Sequence, residues 1–506
     1  MGLYDFTFYE MIGRNAALFG ERPAWIEVET GETTGFAAVL AGVDRLAAGL
    51  QRRGLKPGER IGVLAQNSLE YFLVYGAAAA LGAIVLPVNW RLSAEEVRYN
   101  LNDGTPAVLL ADAAYQEMLD DDRRRLAGVR ERFTLAGDGA WPPLAELTTG
   151  GGDFTPAAVA ADDGLVIIHT AAVGGHPRGA LLSHANLLCA DLHWQSRLQL
   201  DTGDVHLNLL PLFHVGGLFL ASSAFHAGAL NVNMRKFDAA RAAALIERHR
   251  VSVMFDFSPI LGSILDVEGA DLSSLQAVTG LDTPETIERY QRRTGGTFYT
   301  MYGQTETSCI ATYGRYDDRP GAAGRPIALA DVRLVDDDER PVPVGTVGEI
   351  VVRGPMVFKG YWNLDADNAH TFRNGWHHTG DTGRFDADGF LWYAGRKAEK
   401  ELIKPGGENV YPAEVEKAIL EHPAVAETVV FGVPDPKWKE GIKAVCVCRP
   451  DRTLTAGELI AFVGGRIARY KKPQYVEFVE DLPRDRDGRP DRAVVKERYG
   501  GPQDGA

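Results

Sequence analysis

The sequence predicts an α/β protein in which a large N-terminal part is built of layered α/β subdomains and a small α+β domain follows. Three observations carry this reading. Strand-like and helix-like segments alternate through the first part, short strands between acidic and Pro/Gly turns crowd the stretch after Ala330, and a closely spaced helix, strand, strand, helix, strand series fills the end. The 506 residues also exceed what one hydrophobic core usually organises, so at least two domains of unequal size are expected.

Taken in order, residues 60–65 form a β-rich run, 69–81 a helix and 84–88 a second strand; a helix starts at Ser93, and 107–111 reads as a strand. The most apolar stretch, 71–88, is interrupted by Gly76, Gly82 and Pro87, which suits a buried helix running into a strand better than a membrane span. Residues 148–153 are polar and Gly-rich, as in a surface loop, and the strand 165–169 enters a Gly-rich turn. The strands 332–335 and 349–352 mark a small β-rich subdomain. Residues 412–420, 426–432, 443–449, 454–469 and 474–478 make up the α+β series. The expected domains are 1–398 and 399–506.

A formal charge of −15 argues against a dedicated nucleic-acid binder, so an anionic ligand must be held by local groups. Among the four cysteines, Cys446 and Cys448 are too close for a metal knuckle and alternate as in a strand; buried free thiols of a reducing cytosol are the preferred reading. The chain opens with no basic segment leading into an apolar run, so a cytoplasmic protein without an integral membrane segment is expected.

The segment from His169 to Gly179 (His-Thr-Ala-Ala-Val-Gly-Gly-His-Pro-Arg-Gly) lies between a strand and the helix-like 183–190. A turn containing Thr170, Gly174 and Gly175 can aim backbone N–H groups at phosphate oxygens, and Arg178 can neutralise a triphosphate. Alone, such a turn is more often plain turn chemistry.

Further along come Tyr302-Gly-Gln-Thr-Glu306, Trp376-His-His-Thr-Gly-Asp381, Gly395-Arg396 and Lys404-Pro-Gly-Gly-Glu-Asn-Val-Tyr-Pro-Ala-Glu-Val-Glu416, in that order. With these motifs the chain resembles the adenylate-forming superfamily of acyl-CoA synthetases, peptide-synthetase adenylation domains and beetle luciferases, closest to bacterial fatty- or aryl-acyl-CoA ligases. The resemblance runs from Glu21-Arg-Pro-Ala-Trp25 to the Tyr470–Arg484 segment. It implies a large adenylation domain containing a β-barrel-like subdomain, and a mobile C-terminal lid. It also implies that ATP, Mg²⁺ and coenzyme A are used to convert a small carboxylic acid to its acyl-AMP and then its thioester.

Residue by residue, the resemblance implies that Thr305 contacts the α-phosphate and Glu306 places Mg²⁺, a hard cation suited to carboxylate and phosphate oxygens. A Thr-Glu pair capping a helix is the plainer alternative. Asp381 is similar to the family's acceptor for both ribose hydroxyls, Arg396 to its ribose or phosphate arginine, and Tyr302, Gly303 and Gln304 to residues that bind the nucleotide. Gly280, Leu281 and Asp282 resemble the loop along adenine. His214, in Leu210-Pro-Leu-Phe-His214, resembles a gate at the acyl entrance, or is a histidine at the edge of an apolar core. Gly406, Gly407 and Glu408 match the loop used in thioester formation, and Glu401 the hinge acid, with Lys400 its rival.

Two departures stand out. The family's phosphate loop is richer in hydroxyls and has Lys where Arg178 stands. The catalytic lysine expected after Leu482-Pro-Arg is replaced by Arg489, with Lys496 as the other source of positive charge. Transfer to a carrier protein, a catalytically impaired nucleotide- or acyl-binding homologue, and a luciferase-like oxygen chemistry are the alternatives. The pocket walls expected near His214, 232–234, 255–257, Leu281 and 302–310 are mostly apolar with aromatic character, which favours an aliphatic or aryl acid over an amino acid, with Asp256 and Asp282 the acidic candidates to meet an α-ammonium. A homodimer stays open.

Overall fold

The computed structural model describes residues 2–501 except 4, 121–125, 127, 150–153, 171–176, 398–401, 406, 407, 409, 436, 437, 451 and 485–489, and of 439 the backbone alone. The chain divides into two compact units: Met1–Trp90, Asn100–His169 and Gly179–Gly395 form the larger, and Arg91–Tyr99, Thr170–Arg178 and Arg396–Ala506 the smaller.

In the larger unit, a nine-stranded sheet runs in the order Arg325–Pro326, Thr312–Arg315, Thr297–Tyr302, Ala277–Leu281, Val253–Phe257, Val205–Asn208, Leu230–Asn233, Pro23–Glu27, Thr33–Gly35. Strands from Thr297–Tyr302 across to Pro23–Glu27 are parallel, and antiparallel strands flank them. A seven-stranded sheet contains Ile84–Pro87, Arg60–Leu64 and Val108–Ala111 as parallel neighbours. Every residue of Ile84–Pro87 and Val108–Ala111 is buried, as strands covered on both faces should be.

The apolar run at 71–88 is the buried helix Leu69–Leu81 followed by the strand Ile84–Pro87. The Ser68 hydroxyl accepts from the Tyr71 N–H at its start, and left-handed Gly82 (φ 65°) stops it. Among the described residues no helix is long and apolar enough to cross a membrane. The helix expected at 183–190 extends over His184–Leu198, opened by a Ser183/Asn186 capping box; Gln195 and Arg197 near its end obscure the apolar period.

The β-rich segment becomes a four-stranded sheet ordered Asp331–Val335, Gly348–Arg353, His377–Phe385, Leu391–Arg396. Its first two strands correspond to the expected ones. The third begins in the polar His377-His-Thr-Gly-Asp381 run, where apolar alternation is missing.

In the smaller unit, the strands Val425–Asp435, Lys439–Cys448 and Tyr475–Phe478 form one sheet with the helices Pro412–Leu420, Ala456–Gly464 and Arg492–Tyr499 beside it. Period-two alternation sorts the side chains to two cores: Val430, Ala444 and Cys446 pack with Val415, Ile419 and Leu459, while Val429, Phe431 and Val445 pack with Leu482 and Val495. All four cysteines are free thiols.

Candidate active site

The strands Val253–Phe257, Ala277–Leu281 and Thr297–Tyr302 run parallel with Phe257 opposite Leu281 and Gly280 opposite Thr300, so the segments that follow emerge at one edge of the sheet. Ligands of open α/β sheets bind at such carboxyl ends. Gly280 adopts φ 145°, and a Cβ there would stand 1.9 Å from the Asp256 carbonyl oxygen. Neither strand can yield without breaking its ladder. Gly280→Ala is therefore expected to destabilise the larger unit by about 3 kcal/mol, as a lower midpoint in urea.

Beyond Tyr302 the chain makes a tight turn. The Gln304 N–H donates to Thr307 Oγ1 (2.9 Å), Ser308 and Cys309 both take positive φ (52° and 79°), and the Cys309 N–H returns to the Gln304 carbonyl (2.9 Å). A Cβ on Gly303 would stand 2.0 Å from the Cys309 oxygen, which accounts for the glycine in the motif. The short 3₁₀ turn Thr305–Thr307 leaves Thr305 half-buried and Glu306 buried. The Tyr361 hydroxyl donates to Glu306 Oε1 over 2.8 Å.

Asp381 meets the end of this segment from the strand His377–Phe385. It is 2 % exposed, and its Oδ2 accepts from the Tyr302 hydroxyl (2.9 Å) and from Gln304 Nε2. Its Oδ1 lies 3.4 Å from the Tyr393 hydroxyl. Left-handed Gly380 (φ 68°) donates its N–H to Glu349 Oε1 (3.1 Å), and the Asp381 N–H donates to Thr379 Oγ1 (3.1 Å), so the carboxylate is fixed through its backbone as well. Burial, and next the Asp381 charge, hold the Tyr302 phenol well above its ordinary pKa, so it stays a donor throughout the working range.

Tyr302, Gly303, Gln304, Thr305, Glu306 and Asp381 are thus brought into one constellation. Tyr361, Tyr393 and Glu349 complete it, and sequence reasoning missed them. Tyr361 lies 55 residues from Glu306, so no local spacing could flag it. Tyr393, an aromatic on the strand beside Asp381, could have been found from strand pairing.

Other predicted residues are engaged locally. Leu281 is 44 % exposed, and Asp282 Oδ1 accepts from the Thr283 N–H (2.6 Å) at the start of the helix Pro284–Thr294. His214 caps the helix Val215–Ala227, its Nδ1 accepting from the Gly216 N–H (3.2 Å), and its ring stands edge-on to Phe257 (6.1 Å between centroids). A capping histidine beside an aromatic ring was absent from both sequence readings.

In the smaller unit, Thr170 Oγ1 donates to the Arg178 carbonyl (3.3 Å) and Arg396 ends the strand Leu391–Arg396. Glu408 pairs with Arg91 (3.1 Å), and Lys496 stands exposed on the helix Arg492–Tyr499. Gly174, Gly175, Lys400, Glu401, Gly406, Gly407 and Arg489 lie outside the described residues.

Among the described residues no cluster of His, Cys, Asp and Glu is suited to a resident metal. A single buried carboxylate, Glu306, fits a Mg²⁺ that arrives on nucleotide phosphates, because that ion usually takes one or two carboxylates with phosphate and water oxygens.

Residues 12–362 match the family model described as AMP-binding enzyme, and residues 414–489 match the AMP-binding enzyme C-terminal domain. The chain is 38 % identical over 487 residues to an indoleacetate–CoA ligase of Aromatoleum aromaticum, covering 94 % of each. It is 32 % identical to a feruloyl-CoA synthase of an Amycolatopsis species, covering 92 % of this chain and 94 % of that one. A crystal structure described as a long-chain-fatty-acid CoA ligase from Rhodopseudomonas palustris superposes with a TM-score of 0.75 at 48 % identity, covering 78 % of this chain and 100 % of that chain.

Proposed function

We propose, from the premise that this chain belongs to the AMP-binding enzymes and is an ATP-dependent ligase joining a carboxylic acid to coenzyme A through an acyl-adenylate, that its acid is aromatic. The observation that carries the ligase reading is the buried Asp381 held by Tyr302 and Gln304 beside the Thr305-Glu306 turn. In it Asp381 accepts from the ribose hydroxyls, for which a carboxylate is the matching acceptor, and Thr305 donates to the α-phosphate. Glu306 would hold Mg²⁺, which when bound would supply positive charge to the phosphates; the acid's carboxylate attacks the α-phosphorus and pyrophosphate leaves. Arg178 and Arg396 add positive charge toward the nucleotide, and Arg489 or Lys496 supplies the cation of the C-terminal domain. The Gly406–Glu408 loop, with Lys400 or Glu401 as hinge, serves the thioester step. The reaction is placed in the cytoplasm, consistent with four reduced thiols.

The aromatic acid is supported by the rings at the end of the strand Val253–Phe257. Phe257 lies 5.0 Å from Phe255 and edge-on to His214, and a Cβ on Gly216 would lie 3.5 Å from the Phe257 ring. Such edges and faces suit a further aryl ring, and the relatives named for indoleacetate and ferulate act on aryl acids. A long-chain fatty acid is the second reading, favoured by the name of the 48 %-identical structure.

Coenzyme-A-dependent AMP release should separate them. With indole-3-acetate, phenylacetate, ferulate and decanoate compared, kcat/KM for the best aryl acid is expected to exceed that for decanoate by about tenfold or more. The reverse order moves the assignment to fatty acids. Release of neither AMP nor pyrophosphate with any acid would leave a nucleotide-binding homologue in its place.

A further inference from the structure

His377, beside the Thr-Gly-Asp motif, occupies a place that the ligase reading leaves unexplained. Its side chain is buried at the start of the strand His377–Phe385, edge-on to Phe358 (5.3 Å between centroids) and tilted against Phe372 (6.2 Å). Both ring nitrogens have partners: Nε2 is 3.4 Å from Gln304 Oε1, and Nδ1 is 3.1 Å from Thr371 Oγ1.

The protons in this chain of contacts follow from its far end. Gln304's other amide atom contacts Asp381 Oδ2 and the Thr379 carbonyl (3.1 Å), both of which only accept, so that atom is the NH₂ nitrogen. Gln304 Oε1 therefore faces His377 and needs a donor there, which puts a proton on Nε2. In the neutral ring Nδ1 then accepts from the Thr371 hydroxyl, for whose one proton the His378 carbonyl (3.3 Å) is the other acceptor within reach. Thr371, His377, Gln304 and Asp381 make a directed relay in which each group fixes the orientation of the next.

The relay bears on where Asp381 presents its charge. Tyr302 and Gln304 both donate to Oδ2, while Oδ1 lies 3.4 Å from the Tyr393 hydroxyl, so the two donors on Oδ2 set the direction in which the carboxylate faces a ligand hydroxyl. If Gln304's amide turned over, its carbonyl oxygen would face the carboxylate and repel it. We propose that His377 is a positioning residue for nucleotide binding: it holds the Gln304 amide in the one orientation that fixes Asp381 toward the ribose hydroxyls. This rests on the ribose reading of Asp381.

The test compares ATP with 2′-deoxy-ATP as substrates of the full chain in acid-dependent pyrophosphate release. One charged hydrogen bond gives the wild type a preference for ATP in kcat/KM of roughly 10- to 100-fold. His377→Leu is expected to cut that preference by about fivefold and to raise KM for ATP while kcat changes little, because the carboxylate is misplaced and not lost. His377→Gln, which can place an amide N–H where Nε2–H stands, should restore both. Thr371→Val keeps its shape and removes the hydroxyl; if His377→Leu does not fold, this variant should lower the preference about twofold.

An unchanged preference and KM in His377→Leu, or in Thr371→Val where that variant stands in, overturns the inference, provided that Asp381→Asn collapses the preference. Failure of His377→Gln to restore what His377→Leu loses overturns it as well, since a filler of the ring's volume would then be all that the site requires. If Asp381→Asn itself leaves the preference intact, the ribose reading has failed, and the inference falls with it.

Discussion

Asp381→Ala is expected to lower kcat/KM for ATP by about 10²- to 10⁴-fold, the larger part of it in KM. Two ribose hydroxyls donating to a carboxylate are each worth about 1.5–3 kcal/mol, because the acceptor is charged, and a factor of ten corresponds to about 1.4 kcal/mol. The substitution also strands the Tyr302 hydroxyl and the Gln304 amide, which now donate to Oδ2 in a place sheltered from water. Each orphaned donor costs about 1–3 kcal/mol, so a drop in stability of the larger unit accompanies the loss of activity. Asp381→Asn separates the two effects. It keeps the volume and one acceptor oxygen, so the fold should be nearly as stable as wild type while kcat/KM still falls by about tenfold or more. ATP–pyrophosphate exchange against ATP concentration, with urea unfolding of the same samples, measures both. A fall of less than about threefold in Asp381→Ala contradicts the ribose assignment.

How much of this was legible in the sequence depends on what kind of signal each part left. Strands buried on both faces, such as Ile84–Pro87 and Val108–Ala111, declare themselves as short apolar runs, and the ends of Leu69–Leu81 are written in Ser68 and Gly82. The motif residues Tyr302, Gln304, Glu306 and Asp381 were found because their order along the chain resembles a family, while the hydrogen bonds that unite them span 77 and 79 residues, which no periodicity encodes. Tyr361 and Tyr393 carry no motif and became visible only through pairing in space. His214 was read as a gate or a core histidine, because capping by an imidazole depends on a backbone N–H two residues on and leaves no compositional trace. Lys471 was seen merely as part of the Tyr470–Arg484 segment, yet it sits at the centre of a cluster of charges within the smaller unit.

That cluster supports the largest stability prediction. Lys471, 3 % exposed, donates to Glu96 Oε1 and to Glu414 Oε1 (2.6 Å), so one ammonium serves the buried Glu414 and the half-buried Glu96. The two acids are not equivalent. Glu96 also accepts from the Ser93 N–H (2.7 Å) and the Ala468 N–H (3.0 Å), whereas Glu414 Oε2 is buried with no hydrogen-bond partner among the described residues. Burial raises both. For Glu96 the Lys471 charge and the hydrogen bonds from Lys471 and Ser93 outweigh it and leave a pKa below the usual range, while Glu414 is pushed up to about 7. Glu96 thus adds stability above its unfolded pKa that is lost as pH falls through its folded one. Glu414 does the opposite: its contribution is present below an unfolded value of 4.5 and is lost as pH rises through about 7.

Lys471→Met removes the cation and leaves two carboxylates facing each other out of water. The expected loss is about 3–5 kcal/mol at pH 8, the scale for breaking a buried ion pair from one side. Acidification should repair part of it, because protonating the carboxylates supplies the neutrality that the lysine had supplied. If the variant's folded state binds one more proton than wild type across this interval, the deficit shrinks by about 1.4 kcal/mol per pH unit, so that at pH 6 no more than about half remains. Hydrogen exchange of the strand Val425–Asp435 at the two pH values reads the opening of this unit directly. A deficit of the same size at both pH values would mean that lost packing of the lysine stem, and not uncompensated charge, accounts for the instability. A rise in stability at pH 8 would mean instead that the ion cluster costs more to desolvate than its attractions return.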